Sequence, residues 1–216
     1  MNRVVIFGAG GHGREVAEVL RDQAQRNSDI SVLGFIVDDP GSHSPIVNDL
    51  PILGDWSWFG TVDRAEIAIV CAVGLPKIRK RIVELAIGSG LSFFKAISPH
   101  AFVSPNANIG NGIMMAPNSV VSTASVIGDH VIINVGATIS HDTRIGRYFT
   151  INPGVHVAGN VSVGEGCHLG IGCTVIQGIN IGAWVTVGAG AAVISDLPDG
   201  VTAVGVPARI IETRRP

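Results

Sequence analysis

Stepping by six from Ile97 gives Ile97, Val103, Ile109, Met115, Val121, Ile127, Ile133, Ile139 and Ile145, then Ile151, Val157, Val163, Leu169, Val175, Ile181, Val187 and Val193. All seventeen are aliphatic or Met, with no insertion. The residue after each is often glycine, as at Gly110, Gly128, Gly146, Gly164, Gly170, Gly182 and Gly188. The fifth residue of the hexad is usually small or β-branched, for example Ala101, Ser119, Ala137, Val155, Cys173 and Ala191. Chance does not hold such a register over so many turns. A fixed period of this kind marks stacked repeats, each burying its apolar residues against its neighbours.

A hexad with its first and fifth residues inside fits a parallel β-helix of triangular section. The large aliphatic and the small residue share a narrow core, and glycine at the second place is expected to let the backbone turn the corner. Three hexads make a coil, so the run predicts between five and six coils and a prism roughly 25 Å tall at the usual strand spacing. Cys167 and Cys173 fall at inward fifth places. With Cys71 they make an odd number without metal-type spacing and read as buried free thiols.

The chain before residue 96 has a different period. Arg3–Gly8, Ser31–Asp39 and Ala65–Gly74 read as strands. Between them run two helical patterns, one with Val16, Val19, Leu20 and Gln23 on one face, the other after Pro76 with Ile78, Ile82, Leu85 and Ala86. Alternating strands and helices predict a parallel sheet with helices packed on it. The expected organisation is therefore an α/β Rossmann-like domain over 1–95 followed by a parallel β-helix over 96–216.

Formal net charge is −2, with 15 Lys and Arg against 17 Asp and Glu. That balance argues against a non-specific nucleic-acid binder, which needs a basic stripe. No apolar run approaches the roughly 20 residues that span a bilayer. The start, MNRVVIFGAGGHGREVAEVL, breaks into glycines and charges and does not read as a signal peptide. A cytoplasmic protein without membrane or nucleic-acid partners is expected.

Two motifs carry candidate chemistry. Gly8-Ala9-Gly10-Gly11-His12-Gly13 matches G-x-G-x-x-G directly after a strand and opening a helix. Glycines let backbone approach a phosphate, and the helix N-terminus supplies N–H donors. Asp38 and Asp39 end the next strand, where an acid reaches a ribose or base. A dinucleotide cofactor, a purely structural turn and a nucleotide diphosphate all fit this loop. The second motif is His141-Asp142, at the outward third and fourth places of its hexad. An imidazole is suited to take a proton near neutral pH, and an adjacent carboxylate can fix its tautomer. A solvated polar corner is the competing reading. His100, His130 and His168 lie at outward places and His43 in a loop, all expected to be solvated; His156, outward on a nearby coil, ranks second to His141.

GAGGHGREV, a strand ending VDD, AVGLPKIRKRI and hexads containing SHD together resemble the sialic acid O-acetyltransferase and nucleotide-amino-sugar N-acetyltransferase family. The resemblance covers essentially the whole chain. It implies a left hand for the β-helix, which parallel crossovers otherwise disfavour. It also implies a homotrimer with sites between subunits, acetyl-CoA as co-substrate without a metal, and a nucleotide sugar as acceptor. His141 is then the base and Asp142 its orienting partner. The sugar is held by Gly8, Gly10, Gly11, His12, Gly13, Asp38, Asp39, Val73 and Gly74. The coenzyme meets Thr150, Asn152, His156, Gly159, Ile171, Gly172, Gly188, Ala189 and, in the late GVPAR, Arg209. Some relatives carry a second His nine residues after the base, where this chain has Thr150. Gly159, eighteen residues beyond His141, is expected to stack above it, leave room for the acetyl thioester and offer its N–H to the developing oxyanion; a corner glycine is the competing reading.

An O-acetyltransferase is a close variant of this reading. Two other classes compete: a zinc enzyme of the γ-carbonic anhydrase kind, which needs three converging His and lacks its close His pair here, and a nicotinamide oxidoreductase or non-catalytic sugar sensor built on the front domain.

Overall fold

The computed structural model describes residues 2–213. The chain divides into two compact units. One is built from the chain up to Gly74 with Ile78–Pro99, the other from Leu75–Lys77 and the chain from His100 onward.

In the first unit, β1 (Asn2–Phe7) lies between β2 (Ile30–Ile36) and β5 (Ile67–Cys71), parallel to both. The sheet is completed by β3 (Ile46–Val47), β4 (Leu50–Gly54) and β6 (Ser92–Phe93), in the order β3-β4-β2-β1-β5-β6. The sequence pattern did not reveal β3 or β4. They are short and join through Asn48 and Asp49, both at positive φ, which is hairpin chemistry without the usual glycine. β1 feeds β2 on one side and is flanked by β5 on the other, so chain order reverses at the β1–β5 boundary. In open parallel sheets, ligands bind at the carboxyl ends of the strands at such a point.

α1 (Gly11–Arg26) buries Val16, Val19 and Leu20 as its spacing predicts. Gln23, on the same face, uses its amide instead of apolar surface: Nε2 donates to Lys95 O and Oε1 accepts from Ile97 N. α2 (Pro76–Gly88) departs from expectation. Ile78 and Leu85 are exposed, and the buried stripe is Arg79, Val83 and Ala86. Two stripes of this helix carry apolar residues, and periodicity alone favours the more hydrophobic one. Arg79 decides the rotation, because its buried guanidinium donates to Val73 O at 2.6 Å and Gly74 O at 2.9 Å. A buried charge is tolerated only with such partners.

Each of the seventeen aliphatic positions is the second residue of a two-residue strand, from Ala96–Ile97 to Ala192–Val193. In the second unit the strands from Phe102–Val103 onward form three parallel faces. The first holds Phe102–Val103, Val120–Val121, Thr138–Ile139, His156–Val157, Thr174–Val175 and Ala192–Val193. The second runs from Asn108–Ile109 to Asn180–Ile181, and the third from Met114–Met115 to Thr186–Val187. Strands pair with those eighteen residues away, so residues eighteen apart occupy the same place on successive coils. The third face ends in an antiparallel pair, Val201–Val204 with Arg209–Thr213.

The corner chemistry differs from the expectation in one respect. The left-handed φ sits at the fourth place of the hexad, not the second: Gly112, Asn118, Ala124, His130, Gly136, Asp142, Tyr148, Gly154, Asn160, Gly166, Gly172, Gly178, Trp184 and Gly190 all have φ between 56° and 74°. Second-place glycines serve coil contact instead. A Cβ at Gly146 would stand 2.6 Å from Glu165 N and from Gly164 C, on the coil above. The cysteines fill the inward slots as expected. Burial pushes the thiols of Cys167 and Cys173, and of Cys71 in the first unit, up to about 12.

Candidate active site

The three faces meet at three edges, and the repeat register assigns each candidate residue to one of them. His141, Asp142, Gly159 and Asn160 lie on the edge between the first and second faces. Asn152, Ile171, Gly172, Gly188 and Ala189 lie on the edge between the third and first. Thr138, His156 and Thr174, in register with one another, project from the first face between those two edges.

His141 leaves the strand Thr138–Ile139 at the third place of its hexad, and Asp142 follows at the left-handed corner with φ 58°. A short polar side chain tolerates that conformation. The corner turns the carboxylate back, so His141 Nδ1 and Asp142 Oδ2 stand 2.8 Å apart, both side chains 61% exposed. Nδ1–H donating to the carboxylate leaves Nε2 with its lone pair free to accept a proton. One coil above, a Cβ at Gly159 would lie 2.6 Å from His141 Cε1, 2.7 Å from Nε2 and 3.1 Å from Nδ1. Glycine is required there because the imidazole itself fills the space. The expectation that this gap is left for a thioester is corrected accordingly. Asn160 N donates to His141 O at 3.0 Å and fastens the two coils together beside the ring.

The remaining coenzyme candidates fall into distinct settings. His156 is exposed, its Nδ1 2.9 Å from Thr138 Oγ1. Ile171 is 61% exposed, a large apolar side chain between Gly170 and Gly172. Gly172 and Ala189 are also exposed. A Cβ at Gly188 would touch Val204 Cγ1 at 2.8 Å, so that glycine serves packing. Asn152 Nδ2 donates to Leu169 O and lies 2.8 Å from His168 Nε2, a link between coils. Thr150 is only 2% exposed and presents no surface to a ligand in this chain. Arg209 is exposed, its guanidinium donating to Ala208 O just after the cis Val206–Pro207 bond. His130, expected in solvent, is 6% exposed and stacks on Tyr148 at 5.5 Å, because the corner column of that edge carries aromatics on successive coils.

The glycine loop of the first unit has the geometry its motif requires. Gly8 has φ 100°, and a Cβ on it would meet Ala72 O at 3.2 Å. A Cβ on Gly13 would overlap Gly8 O, so the third glycine permits close approach of helix and strand. Gly10 and Gly11 have open space around them. Among the described residues no side chain caps α1, whose first N–H groups suit an anionic acceptor. His12 Nδ1 lies 3.1 Å from Glu15 Oε2, while its buried Nε2 has no hydrogen-bond partner among the described residues. Burial holds the His12 imidazole below its usual range, against the opposing pull of Glu15. Ala72–Gly74 follow β5 across the chain-order reversal from this loop. Asp38 is exposed just beyond β2, whereas Asp39 is engaged in a local turn, its Oδ1 accepting from Gly41 N at 3.1 Å.

Residues 3–86 match the PglD N-terminal domain family. The acetyltransferase domain of PglB from Neisseria gonorrhoeae, solved in complex with acetyl coenzyme A, superposes with a TM-score of 0.89 at 34% identity, over 98% of this chain and all of that one. The chain belongs to the hexapeptide-repeat nucleotide-sugar N-acetyltransferases. The H141N mutant of perosamine N-acetyltransferase from Caulobacter crescentus, solved with CoA and GDP-perosamine, matches with a TM-score of 0.90 at 36% identity, over 98% of each chain. WeeI from Acinetobacter baumannii matches at 0.84 and 25% identity, over 98% of this chain and all of that one. No curated protein matches the chain. As a member of this family, it is an acetyl-CoA-dependent sugar acetyltransferase. Among the described residues, no three His, Cys, Asp or Glu side chains are grouped to hold a metal ion, and no helix is long and apolar enough to cross a membrane.

Proposed function

We propose that this acetyltransferase moves acetyl from acetyl-CoA to the amine of a nucleotide-linked amino sugar, with His141 as general base. The observation that carries the proposal is the His141 ring, tied through Nδ1 to Asp142 at 2.8 Å, exposed on its other side and seated against Gly159. His141 Nε2 takes the amine proton as the nitrogen attacks the thioester carbonyl. The C–N bond forms, the C–S bond breaks, and the proton passes from His141 to the departing thiolate. Asp142 holds the tautomer and stabilises the imidazolium. In this reading the Gly159 N–H, beside the His141 ring, donates to the carbonyl oxygen as charge builds there.

In this reading the nucleotide diphosphate lies over Gly8, Gly10, Gly11 and Gly13, with His12 beside it, Val73 and Gly74 across the crevice, and Asp38 at the sugar or base. Asp39 supports that loop through its turn. Acetyl-CoA runs along the first face past His156 toward Ile171, Gly172 and Ala189, with Arg209 at its nucleotide end. Asn152 and Gly188 shape that wall. The ligands bound to PerB from Caulobacter crescentus, CoA and GDP-perosamine, support both halves of the reading. Assembly as a homotrimer in the cytoplasm belongs to the same proposal. An open, largely apolar groove on the second face, lined by Val126, Arg144, Ser162, Asn180, Leu197 and Pro198, supports such an assembly.

The test is release of CoA with acetyl-CoA and a panel of nucleotide amino sugars. The expected result is turnover with a nucleotide-linked amine, lost by about a thousandfold or more in His141→Ala. Undiminished turnover in that variant would remove His141 from the chemistry.

A further inference from the structure

The inward fifth places of the prism are mostly aliphatic or cysteine, yet two hydroxyls are buried in adjacent coils directly behind the His141 edge. Ser125 is 1% exposed and Thr143 is 0% exposed. A hydroxyl in an apolar core is costly unless it is bonded. Both are bonded in the same way, to the carbonyl fifteen residues ahead, at the start of the corner one coil up. Ser125 Oγ donates to Ser140 O at 2.9 Å, and Thr143 Oγ1 donates to Ala158 O at 3.1 Å. Thr143 Oγ1 also lies 3.4 Å from His141 O and accepts from Val161 N at 3.4 Å.

These contacts name the two corners that matter. Ser140 immediately precedes His141, and Ala158 immediately precedes Gly159. Ser125 therefore holds the corner that carries the imidazole. Thr143 grips the corner above it from both ends, at Ala158 and Val161, while also touching the carbonyl of His141.

From this geometry we infer that Thr143, assisted by Ser125, is a positioning residue for acetyl transfer: it fixes the Ala158–Val161 corner, and with it the Gly159 backbone, at a set height over the His141 ring. The inference rests on His141 being the base. It touches neither substrate, and it acts through the backbone alone. Placement of a base and an oxyanion donor enters the rate steeply, because about 1 Å of misplacement is worth up to ~100-fold.

The prism contains its own control. Cys167 uses the same device on a different edge, with Sγ donating to Gly182 O at 2.9 Å and accepting from Val185 N at 3.4 Å. Valine already fills fifth places at Val131, Val155, Val161 and Val185, so the slot accepts that side chain. Thr143→Val and Cys167→Val each delete one such internal clamp without emptying the core.

Steady-state kinetics with both substrates, alongside thermal melting, test the inference. Thr143→Val is expected to lower kcat by about tenfold with the KM of each substrate within about twofold, and Thr143→Ser to recover most of the loss. Cys167→Val is expected to keep the wild-type kcat despite a comparable fall in melting temperature. The inference is overturned if Thr143→Val retains kcat within twofold, or if both valine variants lose it equally. Should Thr143→Val not fold, Ser125→Ala carries the test, and a kcat within twofold of wild type overturns the inference. Failure of the underlying reading is separable: it would show as full turnover in His141→Ala, whatever Thr143 does.

Discussion

Gly159→Ala isolates the geometry of the active edge in one methyl group. Gly159 has no left-handed φ, so alanine fits its backbone without strain. The added Cβ would stand 2.6 Å from His141 Cε1 and 2.7 Å from Nε2. Carbon atoms rest at about 3.5–4.0 Å, so the ring must retreat by about 1 Å. The backbone of Gly159 has little freedom to yield, since Gly178 N donates to its carbonyl and Asn160 N is bonded to His141 O. The imidazole does have room to move, being 61% exposed. It therefore swings outward, and its 2.8 Å bond to Asp142 lengthens or bends. A displacement of that size is expected to lower kcat by about a hundredfold, which is about 2.7 kcal/mol of transition-state stabilisation. Folding stability should change by less than about 1 kcal/mol, because the chain loses freedom in the unfolded state as well. The assay pairs kcat at saturating acetyl-CoA and nucleotide amino sugar with a melting curve. A variant with kcat within twofold of wild type would refute the reasoning, since the ring would then work equally well away from Gly159.

Two further outcomes follow from the same structure. Gly146→Ala places a methyl 2.6 Å from backbone on the coil above and should cost about 3 kcal/mol, whereas Gly154→Ala meets nothing within 4 Å and should cost about 1 kcal/mol for its φ of 66°; denaturant unfolding that reversed this order would return the corner role to the second place of the hexad. Burial lowers the His12 pKa from 6.5, so the unfolded chain binds the proton more readily than the folded one. The stability this contributes is present above 6.5 and is lost as pH falls below it. Urea unfolding at about pH 7.5 and 5.5 should therefore show a larger loss for wild type than for His12→Gln, and equal losses would exclude a desolvated His12.

The period of six by itself determines the fold of residues 97–193. Seventeen aliphatic residues in unbroken register leave a chain no other way to bury them, and the strands fall on those positions. The motif residues were legible for a related reason: the G-x-G-x-x-G loop and the His141-Asp142 pair are local, with spacing that carries their geometry. Contacts between coils were less accessible. The spacing of eighteen placed Gly159 above His141, but only packing showed that the imidazole fills the space a side chain would need. Nor did the sequence show which place of the hexad turns the corner, since glycine serves both a left-handed φ and close backbone approach. The rotation of α2 was likewise beyond reach, because burying Arg79 depends on carbonyls at Val73 and Gly74 that only the folded loop supplies. The hydroxyls of Ser125 and Thr143 looked like ordinary small core residues until their acceptors appeared fifteen residues ahead. Periodicity reports which side chains leave water; the tertiary structure decides which polar atoms they find there.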